Sequence, residues 1–182
     1  VPGEPSSNVT ASHVNRQNHV MRLLPGIDHI SRLPEFNVVV FALLLNYPWE
    51  FLQVPLFAEM PQAAHWDAIR TCTRATLGDA VIMLIAFWAV GLVARNRRWV
   101  LAPSTAHILI FAATGVVITI AIERLAVAGI WLGGWRYSSL MPVVPGIGVG
   151  LSPLLQWVVL PPLVVWFSRR QILGSGAISH VR

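Results

Sequence analysis

The chain has 182 residues, of which 55% are hydrophobic and 12% charged, well below the roughly 25% charged residues of ordinary soluble domains. Arranged in long apolar blocks, that composition excludes an ordinary soluble domain and points to helices whose solvent is lipid. The net charge of +5 is carried by arginine, with no lysine; the arginines flank the apolar blocks, where they set topology, so nucleic acid is excluded as a partner.

The first stretch, residues 1–35, is expected to be cytoplasmic and at least partly disordered. Val1 to Val20 is polar, with Asn, Ser and His, and has too few apolar residues to offset the entropy of ordering. It does not have the basic segment, apolar core and small-residue cleavage site of a secretory signal. Met21 is an alternative start, and the Asn8-Val9-Thr10 sequon is a triplet common by chance.

Four apolar blocks follow, at about 36–57, 77–94, 106–132 and 151–167. Each suffices to cross a hydrocarbon core of about 30 Å at about 1.5 Å per residue. The expected fold is all-α, a polytopic transmembrane bundle of about four spans forming a membrane domain over 36–168. The first outer loop has few breakers between Pro61 and Arg74 and reads as a short interfacial helix. The second, Trp135 to Gly150, holds two Pro and three Gly and reads as irregular coil. Arg22 and Arg32 precede block one. Arg95, Arg97 and Arg98 follow block two, and Arg169 and Arg170 follow block four. Four spans put these clusters on one side, the cytoplasm by the positive-inside rule, together with a tail at 169–182. Trp66, Trp131 and Trp135 are expected at the outer interface, Trp99 and Trp166 at the inner one. Cys72 falls outside, open to an impermeant thiol reagent unless packed against the bundle. As the single cysteine, it excludes an intrachain disulfide and a Cys-rich metal site.

Polar residues interrupt the blocks in a pattern. Asn46, Glu50 and Gln53 are spaced to share one helical face, with Pro48 among them removing a backbone hydrogen bond. Gly78-Asp79 opens block two. Gly115, Thr119 and Glu123 recur every four residues, with Arg124 adjacent, and Ser152 and Gln156 are again four apart. Given alternating span directions, Glu50, Asp79, Glu123 and Gln156 fall roughly 5–10 Å to the outer side of the midplane. Three acids face one base, Arg124, unless Arg70, Arg74 or Arg136 dips in. Ionisable groups at this depth cost a few kcal/mol and must find partners, so a carboxyl there is protonated or holds a cation. The candidate catalytic residues are Glu50, Glu123 and Asp79. The candidate orienting or substrate-binding residues are Asn46, Gln53, Arg124, Tyr137 and Gln156. The competing reading is helix glue, since buried polar contacts also hold membrane helices together. His65 and His107 lie on opposite sides and cannot share a metal; no metal ligand set, phosphate loop or dinucleotide fingerprint is present.

The segments Asn46-Tyr-Pro-Trp-Glu50 to Phe57, Cys72 to Gly78-Asp79, and Trp135-Arg-Tyr137 through Met141-Pro142 to Gln156-Trp157 resemble a family of small bacterial four-helix inner-membrane proteins. The resemblance extends over most of the chain from Phe36 and implies the fold, the motif positions and a bacterial inner-membrane location, but no activity. Pro48 departs from the small residue usual there. A second resemblance is to membrane carotenoid cyclases and hydratases: a Glu, then Trp-x-Tyr, then a Pro-rich helix start. It implies acid–base chemistry on an apolar polyene, although the cyclases' paired acidic motif is absent.

Three functions fit these residues. The first is acid–base chemistry on a lipid-soluble isoprenoid- or quinone-like substrate in the outer half of the bilayer, with Glu50 or Glu123 donating a proton and Asp79 accepting one. The second is a non-catalytic subunit or assembly factor of a membrane protein complex. The third is a proton or metal-ion carrier acting as an oligomer, against which the apolar inner halves of the blocks argue. The sequence does not define a cofactor.

Overall fold

A computed structural model describes residues 30–130 and 134–179. The expectations for Val1 to Val20 and for Trp131 lie outside the described residues. Four helices dominate: α1 Pro34–Gln53, α2 His65–Val93, α3 Thr105–Val127 and α4 Leu151–Ser179. All four contain stretches long and apolar enough to cross a membrane, as a multi-pass membrane protein requires. They form a ring in which α1 and α3 each pack against α2 and α4. Leu44, Leu52, Val81, Leu92, Val117 and Val158 point outward and are exposed, which is the surface a bilayer would cover.

The helix ends follow local chemistry. Pro34 starts α1, where a missing N–H costs nothing, and Asn37 Nδ2 ties this start down by donating to the carbonyls of Ser31 (2.7 Å) and Leu33 (2.9 Å). The chain stays helical through Pro48 and turns at Val54–Leu56, around Pro55. The short interfacial helix expected from Pro61 to Arg74 is not a separate element. From His65 onward those residues are the first turns of α2, because neither Gly nor Pro intervenes before Gly78, and one glycine costs only about 1 kcal/mol. At about 1.5 Å per residue, α2 is roughly 43 Å long and overhangs a bilayer core.

Two left-handed caps end α2 and α3. Arg95 has φ 49°; its N–H meets Leu92 O and that of Asn96 meets Gly91 O. Gly129 has φ 70°, and the N–H groups of Gly129 and Ile130 return to the carbonyls of Ala126 and Leu125, both at 2.9 Å. This double return bond closes a helix, so α3 stops at Val127 rather than running to Leu132. A capping box opens α3: Ser104 Oγ accepts from the His107 N–H, and His107 Nδ1 accepts from the Ser104 N–H. Helix α4 continues past Phe167 to Ser179, since nothing breaks it near Ser168, so Arg169 and Arg170 sit on its last turns.

The two ends of the ring differ. At the arginine end, Arg97 pairs with Glu35, which raises the pKa of the guanidinium through that hydrogen bond. Arg169 Nε donates to Leu101 O at 2.9 Å. At the opposite, loop end, the α1–α2 and α3–α4 connections are zipped together. The N–H groups of Ala58 and Ser138 donate to Arg136 O and Leu56 O, both at 2.9 Å, making an antiparallel bridge between Phe57 and Tyr137. The Arg136–Glu59 ion pair at 2.7 Å reinforces it. The segment expected as coil also holds a small hairpin, β1 Val143–Val144 against β2 Val149–Gly150, turned by glycines 146 and 148 at positive φ.

Between arginine end and mid-bundle the interior is mostly apolar, with Val38, Ala42, Met83, Ala86, Phe87, Val90, Phe111 and Val164 fully buried beside the polar Asn37 and Ser168. Trp99, expected at the interface, is fully buried. Its indole donates to Phe87 O at 3.1 Å and its ring packs on Phe87 and Phe111; Trp can be buried once its N–H has a partner. Near the middle, Gly115 on α3 lets the Trp157 ring of α4 approach so closely that a Cβ there would lie 1.9 Å from Trp157 Cε3.

Candidate functional site

Toward the loop end the interior turns polar. Asn46, Glu50 and Gln53 are spaced four and three apart on α1 and are all buried. Gln156, one turn into α4, is the hub. Its Nε2 donates to Asn46 Oδ1 at 2.6 Å and to Asp79 Oδ2 at 2.8 Å, so one amide joins α4 to α1 and α2. Gln53 Nε2 donates to Glu50 Oε1 at 2.8 Å, and Gln53 Oε1 accepts from Ser152 Oγ at 3.0 Å. The Glu50 carboxyl faces the side chains of Asp79 and Gln156. The chain Ser152–Gln53–Glu50–Asp79–Gln156–Asn46 thus crosses three helices.

Glu123 on α3 belongs to a second group. One oxygen, Oε2, accepts both from Trp135 Nε1 at 3.1 Å and from the Tyr137 hydroxyl. Both donors come from the loop that covers this end, and their Trp-x-Tyr alternation puts them on one side of an extended strand. Phe57 packs edge-on against Trp135 and tilted on Tyr137. Burial, and then the bond to Glu123, push the Tyr137 phenol pKa up, so Tyr137 is a stable donor. Trp135, expected at the outer interface, is half-buried in this loop with its indole N–H on the Glu123 carboxylate.

The expected base is elsewhere. Arg124 is exposed, and its Nη1 reaches Ile147 O at 3.5 Å, because its position on α3, next to the inward-facing Glu123, points away from the bundle. Arg124 therefore does not join the acids. Arg70 pairs with Asp67 at 3.8 Å, Arg136 with Glu59, and Arg74 is exposed. The bond from Arg136 lowers the pKa of exposed Glu59. Among the described residues, no ion pair reaches Glu50, Asp79 or Glu123.

Sequence reasoning missed three members of this region. Ser152 was seen only as a spacing partner of Gln156. Thr76 went unnoticed, although it lies three residues before Asp79 and so shares its face. Cys72, 2% exposed, is packed against α1 with Sγ 3.8 Å from Glu50 O, so the reagent test of topology does not apply to it.

Among the described residues, no group of three or more His, Cys, Asp or Glu side chains is placed to hold a metal ion. No family model matches the sequence, and comparison with curated proteins and with solved structures found no match.

Proposed function

We propose that the loop end of the bundle carries out acid–base chemistry on a lipid-soluble, isoprenoid- or quinone-like molecule, in the outer half of a bacterial inner membrane with both chain termini cytoplasmic. The observation that carries this reading is the Glu50–Asp79 pair: two carboxyls from adjacent helices, facing each other, with no ion pair to either among the described residues. Two adjacent negative charges in a medium of low dielectric repel strongly. A proton held between them relieves that repulsion, and such a pair gives and takes one proton as a unit. Asp79 is only partly buried, and beside it Gly78 has open space around its Cα. That places the pair near the bundle flank, where a guest dissolved in lipid would arrive. Glu50 serves as donor and Asp79 as acceptor, while Gln53, Gln156 and Asn46 hold the carboxyls in place. Glu123 with Tyr137 is a second donor pair.

A second reading, a non-catalytic subunit or assembly factor, draws on the bonds Gln156 makes to Asn46 and Asp79 and on the Ser152–Gln53 bond, which are good helix glue. The two readings separate in cells. Removing the protein should change the abundance of at least one lipid-soluble compound in membrane extracts, by a mass or double-bond position that a proton transfer explains. An unchanged extract together with loss of an assembled membrane complex would select the second reading.

A further inference from the structure

The arginine end carries more cation than its own acids take up. Arg32, Arg95, Arg97, Arg98, Arg169 and Arg170 gather there, and among the described residues the acid beside them is Glu35, which Arg97 engages. Arg95, Arg98, Arg169 and Arg170 are exposed and make no ion pair among the described residues. Direct bonds draw two of them together. Arg169 Nε donates to Leu101 O at 2.9 Å, and the Leu101 N–H donates to Arg98 O at 3.0 Å. Leu101 thus ties Arg169 on α4 to the turn that carries Arg98. That bond uses one guanidinium N–H and leaves the rest of the planar fork. The Arg170 guanidinium lies 5.3 Å from the centre of the Trp166 ring, a cation–π distance. Leu163, Trp166, Arg170 and Leu173 are spaced three, four and three apart and are all exposed, so they form one stripe along the flank that a bilayer would cover. Exposed Trp rings sit at the headgroup boundary, and Trp166 sets Arg169 and Arg170 at that depth.

We infer that this corner of the bundle binds an anionic phospholipid, with its phosphate taken by Arg98, Arg169 and Arg170 and its acyl chains lying along Leu163 and Trp166. The site is independent of the acid–base reading at the loop end. A phosphodiester presents two unesterified oxygens that match the guanidinium fork. Like charges brought together beside a low-dielectric core repel, and a bound anion relieves that repulsion. Leu101 already holds Arg169 and the Trp166 ring already holds Arg170, so binding costs less side-chain entropy there than at free arginines. A choline headgroup brings a cation of its own, which the neighbouring arginines repel; a headgroup with net negative charge does not. A soluble anion meets the arginines but leaves the Leu163–Trp166 stripe unused, whereas a lipid uses both. Basic clusters of this kind at headgroup depth are where anionic headgroups are held.

The test uses the full chain, stripped of lipid in detergent. It is titrated with palmitoyl-oleoyl phosphatidylglycerol and, separately, with phosphatidylcholine of the same acyl chains, and bound lipid is counted by native mass spectrometry. Phosphatidylglycerol should bind roughly 10-fold or more tightly, with the preference shrinking as salt rises. Arg98→Gln and Arg170→Gln should each weaken phosphatidylglycerol roughly 3- to 10-fold and leave phosphatidylcholine unchanged. Neither side chain bonds another helix among the described residues, so the lipid-free unfolding midpoint should stay where it is; Arg169→Gln is the less clean variant, because it also frees the Leu101 turn. Arg74→Gln removes the same charge from an exposed position at the opposite end and should have no effect. Equal binding of the two lipids would overturn the inference. So would an Arg74→Gln loss as large as that of Arg170→Gln, which would make net charge rather than this corner the cause. Displacement of phosphatidylglycerol by millimolar inorganic phosphate would also overturn it, by assigning the arginines to a soluble anion.

Discussion

The same four helices build two interiors that obey different rules. From the arginine end to mid-bundle, the inward side chains are Val38, Ala42, Met83, Phe87, Val90 and Phe111, and cohesion comes from close packing. In the loop-end half the inward groups are Asn46, Glu50, Thr76, Asp79, Thr119, Glu123 and Gln156, and cohesion comes from directed hydrogen bonds; unpartnered buried polar atoms occur in both halves, Thr76 and Thr119 here and Glu35 and Ser168 at the arginine end. Lipid is as apolar as the first interior, so packing there rests on shape. The second interior departs from what a stable bundle needs, and the proposed acid–base reading draws on that departure.

That contrast has graded consequences. The packed half should be intolerant of volume. Gly115→Ala puts a Cβ into the Trp157 ring and should cost about 3 kcal/mol in detergent unfolding, the largest stability effect among these changes; a cost below about 1 kcal/mol would show that the ring moves freely. The polar half should be tolerant. Gln156→Leu removes two bonds, each worth roughly 0.6–1 kcal/mol in membrane proteins, so about 1–2 kcal/mol is expected from the same measurement, and a collapse of the fold would make the network structural first.

The loop clasp should show a smaller, pH-dependent effect. With its phenol pKa raised by burial and by Glu123, Tyr137 contributes stability that is fully present below the ordinary phenol value of about 10 and is lost as pH rises through the higher folded value. In a Tyr47→Phe background, phenolate absorbance should therefore develop later in the folded protein than in the unfolded chain; simultaneous titration would mean that the clasp is open. The smallest effect belongs to the other end. Arg95 holds φ 49° without being glycine, so Arg95→Gly should stabilise by up to about 1 kcal/mol. A loss in its place would mean that the guanidinium matters more than the backbone.

Much of the fold was legible because lipid imposes long apolar runs, and block lengths and flanking arginines need no tertiary knowledge. The helix ends were less so. The α3 stop depends on Gly129 being left-handed, one of several glycines that could have served, and the α2 stop on an arginine in a conformation no propensity favours. At the site, the four- and three-residue spacing from Asn46 to Gln53 placed those side chains on one face, and alternation of span direction put Glu50, Asp79 and Gln156 at one depth. Sequence could not show where Arg124 points, because neighbours on a helix diverge by about 100° and only packing decides which faces inward. Nor could it show that Trp135 reaches Glu123, since that depends on a bridge between residues 57 and 137 in two separate loops.

The central claim is that the Glu50–Asp79 pair works through a proton rather than as helix glue. Glu50→Gln tests it most directly, since the amide keeps the shape and one acceptor oxygen but carries no exchangeable acid proton. The variant should accumulate and unfold like the unsubstituted protein, within about 1 kcal/mol, while its cellular activity falls roughly 100-fold or more. A folded Glu50→Gln protein that fully restores a deletion strain would contradict the claim.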